Sequence, residues 1–329
     1  MKARIALLFG GADAEHEVSL MGYGYVKQLL GKTDYEILPV YIDRSGDWHL
    51  GGVGGDIAYL SGNLGGSLYA GGDFIRIDAA IPLLHGEGGE DGALQGALTL
   101  AGVGYVGADS VTSAVCIDKS YTKSIVSALG VPTLDEVAFS ESTDVGAALE
   151  ECKRKLGFPM FIKPRRLGSS VGAYPVYTED GFNQCFPLAQ ELGRGLVTVE
   201  KMLTCKRELE CAFCRLGKEK IITPPGEILI DGFYGYGEKY GGRTRVSPVA
   251  DLDGSVRDKI TDYASRIADR LSLRHLARID FFLTEDGPVF NEVNTFPGFT
   301  EDSLYPKMLT AYGIDPGDAL VSFIEDALL

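Results

Sequence analysis

A β-hairpin predicted near the end of the 329-residue chain constrains the fold more than any other feature. Residues 277–283 and 289–294 read as its two strands. The turn at 285–287 ends in glycine, which is typical of a three-residue loop closed by a pair between residues 284 and 288. This register decides which side chains face each other.

The register places Asp280 opposite Glu292 and Arg278 opposite Asn294, all on one face of the hairpin. Two carboxylates that face each other repel, and a divalent cation between them removes the repulsion. Aspartate, glutamate and asparagine supply the hard oxygen ligands that Mg²⁺ prefers, together with phosphate oxygens and water. The hairpin therefore predicts a magnesium site.

An edge hairpin with solvated acids is the alternative interpretation. However, Phe281, Leu283, Val289 and Val293 predict that the opposite face packs against a core, so the acids form a face of their own. The strand continues into a turn at 294–298, whose glycine lets backbone N–H groups approach a ligand closely. An arginine, oxygen ligands and such a turn favour stabilisation of a reacting phosphoryl or acyl group.

Composition and charge limit the class of partner. The chain is long enough for two or three domains, and its net charge of −15 argues against nucleic acid or an anionic membrane as partner. No apolar run approaches membrane length, and the first apolar stretch is too short for a signal peptide. The six scattered cysteines read as reduced core thiols, so we expect a cytoplasmic protein.

The first third of the chain predicts an open α/β sheet that binds ligands at its strand ends. The strand 4–9 leads through two glycines into a helix. Glu15 at the head of this helix can receive a substrate ammonium or stabilise the helix N-terminus, and the stretch leaves both open. The strand 79–84 ends at His85, a position that favours a substrate contact. Residues 51–72 are rich in glycine and predict a mobile surface segment.

The middle of the chain predicts a hairpin that covers phosphates. The strand 160–163 enters a loop of glycine, serine and basic residues at 164–172, and the chain returns at 173–177. A basic surface hairpin is the alternative. Lys163 lies within an apolar strand and needs an anionic partner, which favours the phosphate interpretation.

Two further strands predict a slot for a nucleoside. Glu200 and Leu203 lie on the strand 197–203, and Glu208 lies on the next strand. Apolar walls with acidic acceptors fit a base and a ribose, although this spacing alone is unspecific. The glycine- and tyrosine-rich stretch 231–243 is typical of a closing lid.

Several segments, in order along nearly the whole chain, resemble the D-alanine–D-alanine ligase family of the ATP-grasp fold. The matching segments are GGADAEHEVS, HGEGGEDGALQG, the Asp118-Lys119 pair, IKPRRLGSSVG, EKML followed by RELECA, YGYGEKY, and RIDFF with NEVNTFPGFTEDSLYP. Each is weak alone, and seven in family order make a specific match. The resemblance implies a three-domain ATP-grasp protein, α/β overall and α+β in its ATP-binding part. We divide it at 1–107, 108–196 and 197–329.

The resemblance implies a reaction in which ATP phosphorylates the carboxylate of one D-alanine. The amine of a second D-alanine then attacks the acyl phosphate, and the dipeptide serves peptidoglycan synthesis. ATP, two Mg²⁺ ions (with Mn²⁺ as an alternative) and a homodimer are implied as well. By motif position, the nucleotide and metal residues are Lys119 and Lys163 for the α- and β-phosphates, Lys239 for the γ-phosphate, Glu200, Lys201 and Leu203 for adenine, Glu208 for ribose, and Asp280, Glu292 and Asn294 for Mg²⁺.

The same resemblance implies the residues that bind and activate the two amino acids. They are Glu15 for the first ammonium, tied to Ser169 and Tyr240, with His85 close by; Arg278 and the Gly298 N–H for the oxyanion; and Ser303 and Leu304 for the second carboxylate.

Alternatives to this reaction stay open. A relative that uses D-serine as second substrate differs by one hydroxyl, which a pocket rejects only weakly. D-lactate is disfavoured because lactate-forming relatives carry a histidine-containing stretch where this chain has YGYGEKY. A non-catalytic ATP-binding protein is disfavoured because it has no need of Arg278.

Overall fold

The computed structural model describes residues 2–62, 65–140, 143–203, 207–229 and 245–329. The predicted lid at 231–243, with Lys239 and Tyr240, lies outside the described residues.

The first sheet has a parallel centre extended by antiparallel strands. Its eight strands run in the order β6-β5-β4-β3-β2-β1-β7-β8, and β1 pairs in parallel with β2 and β7. The apolar strand β1 is buried along nearly its whole length because both faces of a parallel strand are covered. The strands are β1 (Arg4–Gly10), β2 (Glu36–Ile42), β3 (Trp48–Leu50), β4 (Asp56–Ser61), β5 (Ser67–Ala70), β6 (Asp73–Arg76), β7 (Ala79–Pro82) and β8 (Gly104–Tyr105); the helices are α1 (His16–Leu30) and α2 (Ala93–Ala101).

The glycine-rich stretch 51–72 differs from the prediction. It contains β4 and β5, which continue the sheet as antiparallel strands, where the sequence had indicated only a mobile surface segment. Gly71 and Gly72 have positive φ angles and form the tight connection between β5 and β6. The glycines therefore mark turns between short strands.

The second sheet is a four-stranded antiparallel sheet in the order β11-β10-β12-β9. Helices α5 and α6 complete its core, where Phe182 and Phe186 stack and pack with Met160 and Ile162. The elements are α3 (Ser110–Ile117), α4 (Lys119–Ser127), β9 (Glu136–Phe139), α5 (Val145–Lys155), β10 (Met160–Pro164), β11 (Tyr174–Val176), α6 (Glu179–Leu192) and β12 (Val197–Lys201), with α3 and α4 preceding the sheet.

The third sheet carries the hairpin and follows the order β16-β15-β13-β17-β18, with β14 paired to β13. Its two cores include Phe281 and Phe290 on one side and Tyr305 and Phe323 on the other. The elements are β13 (Arg207–Leu216), β14 (Glu219–Ile222), β15 (Gly226–Leu229), β16 (Arg245–Ser247), α7 (Gly254–Arg270), β17 (Leu276–Thr284), β18 (Gly287–Asn294), α8 (Leu304–Tyr312) and α9 (Pro316–Ala327).

The hairpin register is confirmed at its polar end and wrong at its turn. Asp280 pairs with Glu292 as predicted, but Thr284 pairs with Gly287, so the loop has two residues. A β-bulge between the two regions inserts Asn291 as an extra residue and restores the predicted pairing beyond it. Because a bulge reverses the alternation, Phe290 rather than Val289 is fully buried in the core.

Candidate active site

Three carboxylates lie in a row across adjacent strands, and we call Glu210, Asp280 and Glu292 the acidic row. Glu210 on β13 pairs with Asp280 on β17, which pairs with Glu292 on β18. Paired residues on neighbouring strands share one face of a sheet, so the three side chains are neighbours. Arg278 and Asn294 form a further pair two residues along the β17–β18 ladder. The sequence predicted this group except for Glu210, whose pairing partner it did not reveal.

The acidic row holds the guanidinium of Arg278. Its Nε and Nη2 donate to Asp280 at 2.8 and 2.7 Å, and its Nε lies 3.3 Å from Glu210 Oε2. The amide nitrogen of Asn294 donates to Asp280 Oδ2 at 3.0 Å. Burial by itself lowers the pKa of Arg278, but Asp280 and Glu210 outweigh burial and raise this pKa well above its ordinary value. Arg278 is therefore a permanent positive charge at this face.

Lys119 supplies the second positive charge, with its Nζ 3.4 Å from Glu292 Oε2. Among the residues that the structure describes, the three carboxylates of the row lie against two cations, Arg278 and Lys119. The hard oxygen donors of the row and of Asn294 fit Mg²⁺. In the described ranges no three His, Cys, Asp or Glu side chains converge closely enough to hold a metal ion by themselves.

The acidic row opens into a cleft of about 920 Å³. This cleft brings together residues that are up to 292 positions apart in the sequence, from Glu15 to Lys307. The predicted site residues that line it are Glu15, His85, Lys119, Ser169, Glu208, Arg278, Asp280, Glu292, Asn294, Gly298, Ser303 and Leu304. The predicted residues Lys163, Glu200, Lys201 and Leu203 lie outside its lining.

Glu15 contacts the predicted phosphate-covering loop. Ser169 Oγ donates to Glu15 Oε1 at 2.6 Å, and a Cβ added to Gly168 would lie 3.8 Å from Glu15 Oε2. Ser169 and Ser170 both have positive φ angles, an uncommon conformation that aims the loop at α1. Glu15 is the N-cap residue of α1, but its side chain makes no capping hydrogen bond. The local geometry therefore favours the substrate interpretation of Glu15 over the helix-capping one.

Glu90 connects the His85 loop to the turn after β18, and the sequence prediction missed it. Its Oε1 accepts from Phe296 N at 3.2 Å, and its Oε2 accepts from Gly86 N at 3.0 Å. Burial raises the pKa of Glu90, while the neighbouring His85 lowers it. The sequence indicated only that the loop after His85 is rich in acidic residues, and this composition does not identify which acidic side chain is buried.

The turn 294–298 packs against the start of α8. A Cβ added to Gly298 would lie 3.1 Å from Ser303 Oγ, so a larger residue here would crowd that hydroxyl. Ser303 Oγ lies 2.8 Å from Thr300 Oγ1 and accepts from Thr300 N at 3.1 Å. The predicted oxyanion residue and the predicted second-substrate residue are thus immediate neighbours.

A second charged group lies in the four-stranded sheet, and we call Lys123, Glu136, Lys163 and Glu200 the lysine cluster. Glu200 Oε1 pairs with Lys163 Nζ at 2.8 Å and also with Lys123 Nζ. Lys123 Nζ also donates to Glu136 Oε2 at 2.9 Å. The structure thus supplies the anionic partner that Lys163 was predicted to need. Lys123 was missed, although it lies four residues after Lys119 and hence on the same helix face.

Helix α4 connects the acidic row to the lysine cluster. Asp118 caps its N-terminus by accepting from Tyr121 N, and is fully buried. The Asp118 carboxylate also accepts hydrogen bonds from Nε and Nη2 of Arg165 at 2.8 to 3.1 Å and from Nε of Arg166 at 3.0 Å. This anchor fixes the β10–β11 loop to the helix that carries Lys119.

The remaining nucleotide residues take different positions. Lys201 donates its ammonium to the carbonyls of Leu156, Gly157 and Phe158 at 2.9 to 3.3 Å, so this side chain fastens the end of α5. Glu208 lines the cleft between Ile228 and Phe282, its partners on β15 and β17. In the part of the chain that the structure describes, no helix is both long enough and apolar enough to span a membrane.

Most of the chain matches known family models. Residues 4–108 match the family model "D-ala D-ala ligase N-terminus", and residues 125–325 match "D-ala D-ala ligase C-terminus". A protein named D-alanine–D-alanine ligase from Mycolicibacterium vanbaalenii is 35% identical, with 99% of this chain and 97% of the relative covered.

Two solved structures are similar over the same extent. D-alanyl-alanine synthetase A from Vibrio cholerae has a TM-score of 0.91 at 34% identity, covering 99% of this chain and 98% of that one. The VanG D-Ala:D-Ser ligase from Enterococcus faecalis has a TM-score of 0.89 at 32% identity, covering 99% of this chain and 100% of that one. The predicted ATP-grasp fold is thereby confirmed, and the chain belongs to the D-alanine–D-alanine ligase family.

Proposed function

We propose that the protein is an ATP-dependent, ADP-forming ligase that joins two D-alanine molecules through an acyl phosphate for peptidoglycan synthesis. One observation carries the proposal: a single cleft brings together Glu15, Lys119, Arg278 and the acidic row. These are the groups needed to hold an ammonium, neutralise phosphate and stabilise an oxyanion.

The first D-alanine binds by its ammonium to Glu15 in this proposal. Ser169 donates to one oxygen of that carboxylate and fixes its orientation. Glu90 connects the loop after His85 to the turn that carries Gly298. In this proposal the substrate carboxylate faces Arg278 and the Gly298 N–H. Ser303 and Leu304, at the start of α8, receive the carboxylate of the second D-alanine.

Charge neutralisation is the main chemical requirement, because a carboxylate is a poor electrophile and phosphate is highly charged. Asp280, Glu292 and Asn294 would hold two Mg²⁺ ions, for which Mn²⁺ could substitute. The bound ions would stabilise the charge of the transferring phosphoryl group. Lys119 contributes a fixed charge beside Glu292. Arg278 and the Gly298 N–H stabilise the oxyanion that forms when the second amine attacks.

The nucleotide lies between the second and third sheets in this proposal. Lys163 binds a phosphate, the strand end at Lys201 and Leu203 receives adenine, Glu208 binds the ribose, and Glu200 acts on the nucleotide through its ion pair with Lys163. Lys239 and Tyr240, outside the described residues, are proposed for the γ-phosphate and for the contact with Glu15. We also propose a homodimer and three domains, with the first boundary at 107 as predicted and the second placed after β12 instead of at 196, because β12 pairs within the four-stranded sheet.

A D-alanine–D-serine ligase is the second candidate, supported by the similarity to the VanG D-Ala:D-Ser ligase. The deciding experiment measures phosphate release from MgATP with D-alanine alone, and then with added D-serine or D-lactate. Products are identified by mass, and L-alanine serves as the matched control. D-alanyl-D-alanine as the main product at neutral pH is expected. A mixed product formed in preference would select the second candidate, and no D-alanine-dependent phosphate release would reject both.

A further inference from the structure

Lys123 lies at the centre of a buried network that the proposed reaction does not use directly. Its side chain is 3% exposed, and Nζ contacts both Glu136 and Glu200. Glu136 is fixed in turn by Thr198, whose Oγ1 donates to Glu136 Oε2 at 2.9 Å. A lysine ammonium in such surroundings needs charged partners, and it has two.

Lys163 competes with Lys123 for the same oxygen. Both ammonium groups contact Glu200 Oε1, yet the Lys163 side chain is 12% exposed and those of Lys123 and Glu200 are 3% and 4% exposed. Lys163 is therefore the member at the accessible side of the pair. Its proposed partner is a nucleotide phosphate, so a bound nucleotide competes with Glu200 for the Lys163 ammonium.

The charge balance identifies what makes this exchange feasible. Lys123 and Lys163 together match Glu136 and Glu200 in number. If Lys163 leaves and no cation remains, Glu200 becomes a buried, unpaired carboxylate, which is strongly unfavourable. Burial raises the pKa of Glu200, but Lys123 and Lys163 outweigh burial and lower it to about 2. Burial lowers the pKa of Lys163, whereas Glu200 and Glu136 outweigh burial and raise that of Lys123. The two lysines are thus held unequally.

We propose that Lys123 is a positioning residue for the nucleotide: it stays on Glu200 as a permanent counter-charge and so releases Lys163 to a phosphate. The inference rests on the proposed nucleotide role of Lys163. Helix α4 then carries two functional lysines one turn apart: Lys119 contacts Glu292 of the acidic row, and Lys123 contacts Glu200 within the lysine cluster.

The test is nucleotide affinity measured by calorimetry with MgADP, in the absence of D-alanine. In Lys123→Met, Lys163 is the one cation that still pairs with Glu200 among the described residues, so affinity should fall at least about tenfold. Turnover at saturating ATP should change less than about threefold, since the loss affects binding. Lys123→Arg should restore most of the affinity. Lys153→Met is the matched control, because Lys153 pairs only with surface acids and should leave affinity unchanged.

The double variant Lys123→Met/Glu200→Gln separates positioning from a merely structural role. Removing the carboxylate frees Lys163, so the double variant should bind MgADP more tightly than Lys123→Met. Unchanged affinity in Lys123→Met, or no recovery in the double variant, overturns the proposal. If Lys123→Met does not fold, Glu136→Gln provides the test. In Glu136→Gln, Lys123 has Glu200 as its remaining carboxylate partner in the lysine cluster, so nucleotide binding should be at least as tight as in wild type. Weaker nucleotide binding than wild type overturns the proposal.

The binding measurement also distinguishes this inference from the proposed reaction. Wild-type protein that binds MgADP but makes no dipeptide overturns the reaction and leaves the role of Lys123 testable. Wild-type protein that binds no nucleotide overturns both.

Discussion

The acidic row and the lysine cluster are both buried groups of charges, but they differ in balance and in access. Among the described residues, the acidic row sets three carboxylates against Arg278 and Lys119, and it lines the cleft. The lysine cluster has two lysines and two glutamates and lies outside the lining of the cleft. The first group has more carboxylates than cations and faces a space that a ligand can enter, whereas the second has equal numbers of both and is buried.

This difference teaches how one protein can hold both a cation and a highly charged anion. An unbalanced group gains stability when a cation arrives, because mutual repulsion of its carboxylates is relieved. A balanced group must exchange a partner, so its ligand competes with an existing ion pair. Substitutions should therefore affect metal dependence and catalysis in the acidic row, and stability or nucleotide affinity in the lysine cluster.

The largest effect is expected for Arg278→Lys. Lysine keeps the charge but lacks the planar fork that contacts Asp280 twice and Glu210 once. Loss of a preorganised oxyanion donor should lower kcat by about 10²- to 10³-fold with little change in the KM for D-alanine. Dipeptide formation at saturating substrate measures this. Arg257→Lys, at an exposed pair with Asp258, is the control. A kcat close to that of wild type would contradict the role of Arg278.

An intermediate effect is expected for Asp280→Asn, which removes the central charge of the acidic row. The row then has one carboxylate fewer, and the apparent affinity for Mg²⁺ should fall at least about tenfold. A Mg²⁺ titration of activity, together with the Mg²⁺-induced rise in thermal unfolding temperature, measures this. Asp262→Asn on the surface of α7 should leave both curves unchanged. An unaltered Mg²⁺ dependence in Asp280→Asn would show that the row does not bind the metal.

The smallest effect is expected for Glu200→Gln, seen in stability at acid pH. The folded-state pKa of Glu200 is about 2, below its ordinary value of 4.5. Its contribution to the free energy of unfolding is therefore present above pH 4.5 and is lost as the pH falls from 4.5 toward 2. Urea unfolding between pH 6 and pH 3 should show a shallower pH dependence in Glu200→Gln than in wild type. Glu150→Gln, at an exposed pair with Lys153, should retain the wild-type slope. Parallel slopes in wild type and Glu200→Gln would contradict the balance assigned to the lysine cluster.

Much of the fold followed from local patterns. The apolar strand β1, the glycines after it and the Asp280–Glu292 pairing were readable because each depends on neighbours in sequence or on one hairpin. The bulge at Asn291 was not readable, since a loop of three residues and a loop of two with a bulge give the same pairing at the polar end. The glycine-rich segment was misjudged because turns between short strands have the same composition as a mobile loop.

The sequence by itself determined the chemical groups and their local spacing: acids two residues from Arg278, lysines one turn apart on α4, and glycines where the chain turns. Only the tertiary structure decided which of these groups meet. Lys123 meets Glu200 across 77 positions, and Glu90 meets Phe296 across 206. Such contacts depend on how separate sheets and helices pack. Burial of apolar area and neutralisation of charge act between surfaces that are distant in sequence, so they leave no periodic signal in the chain.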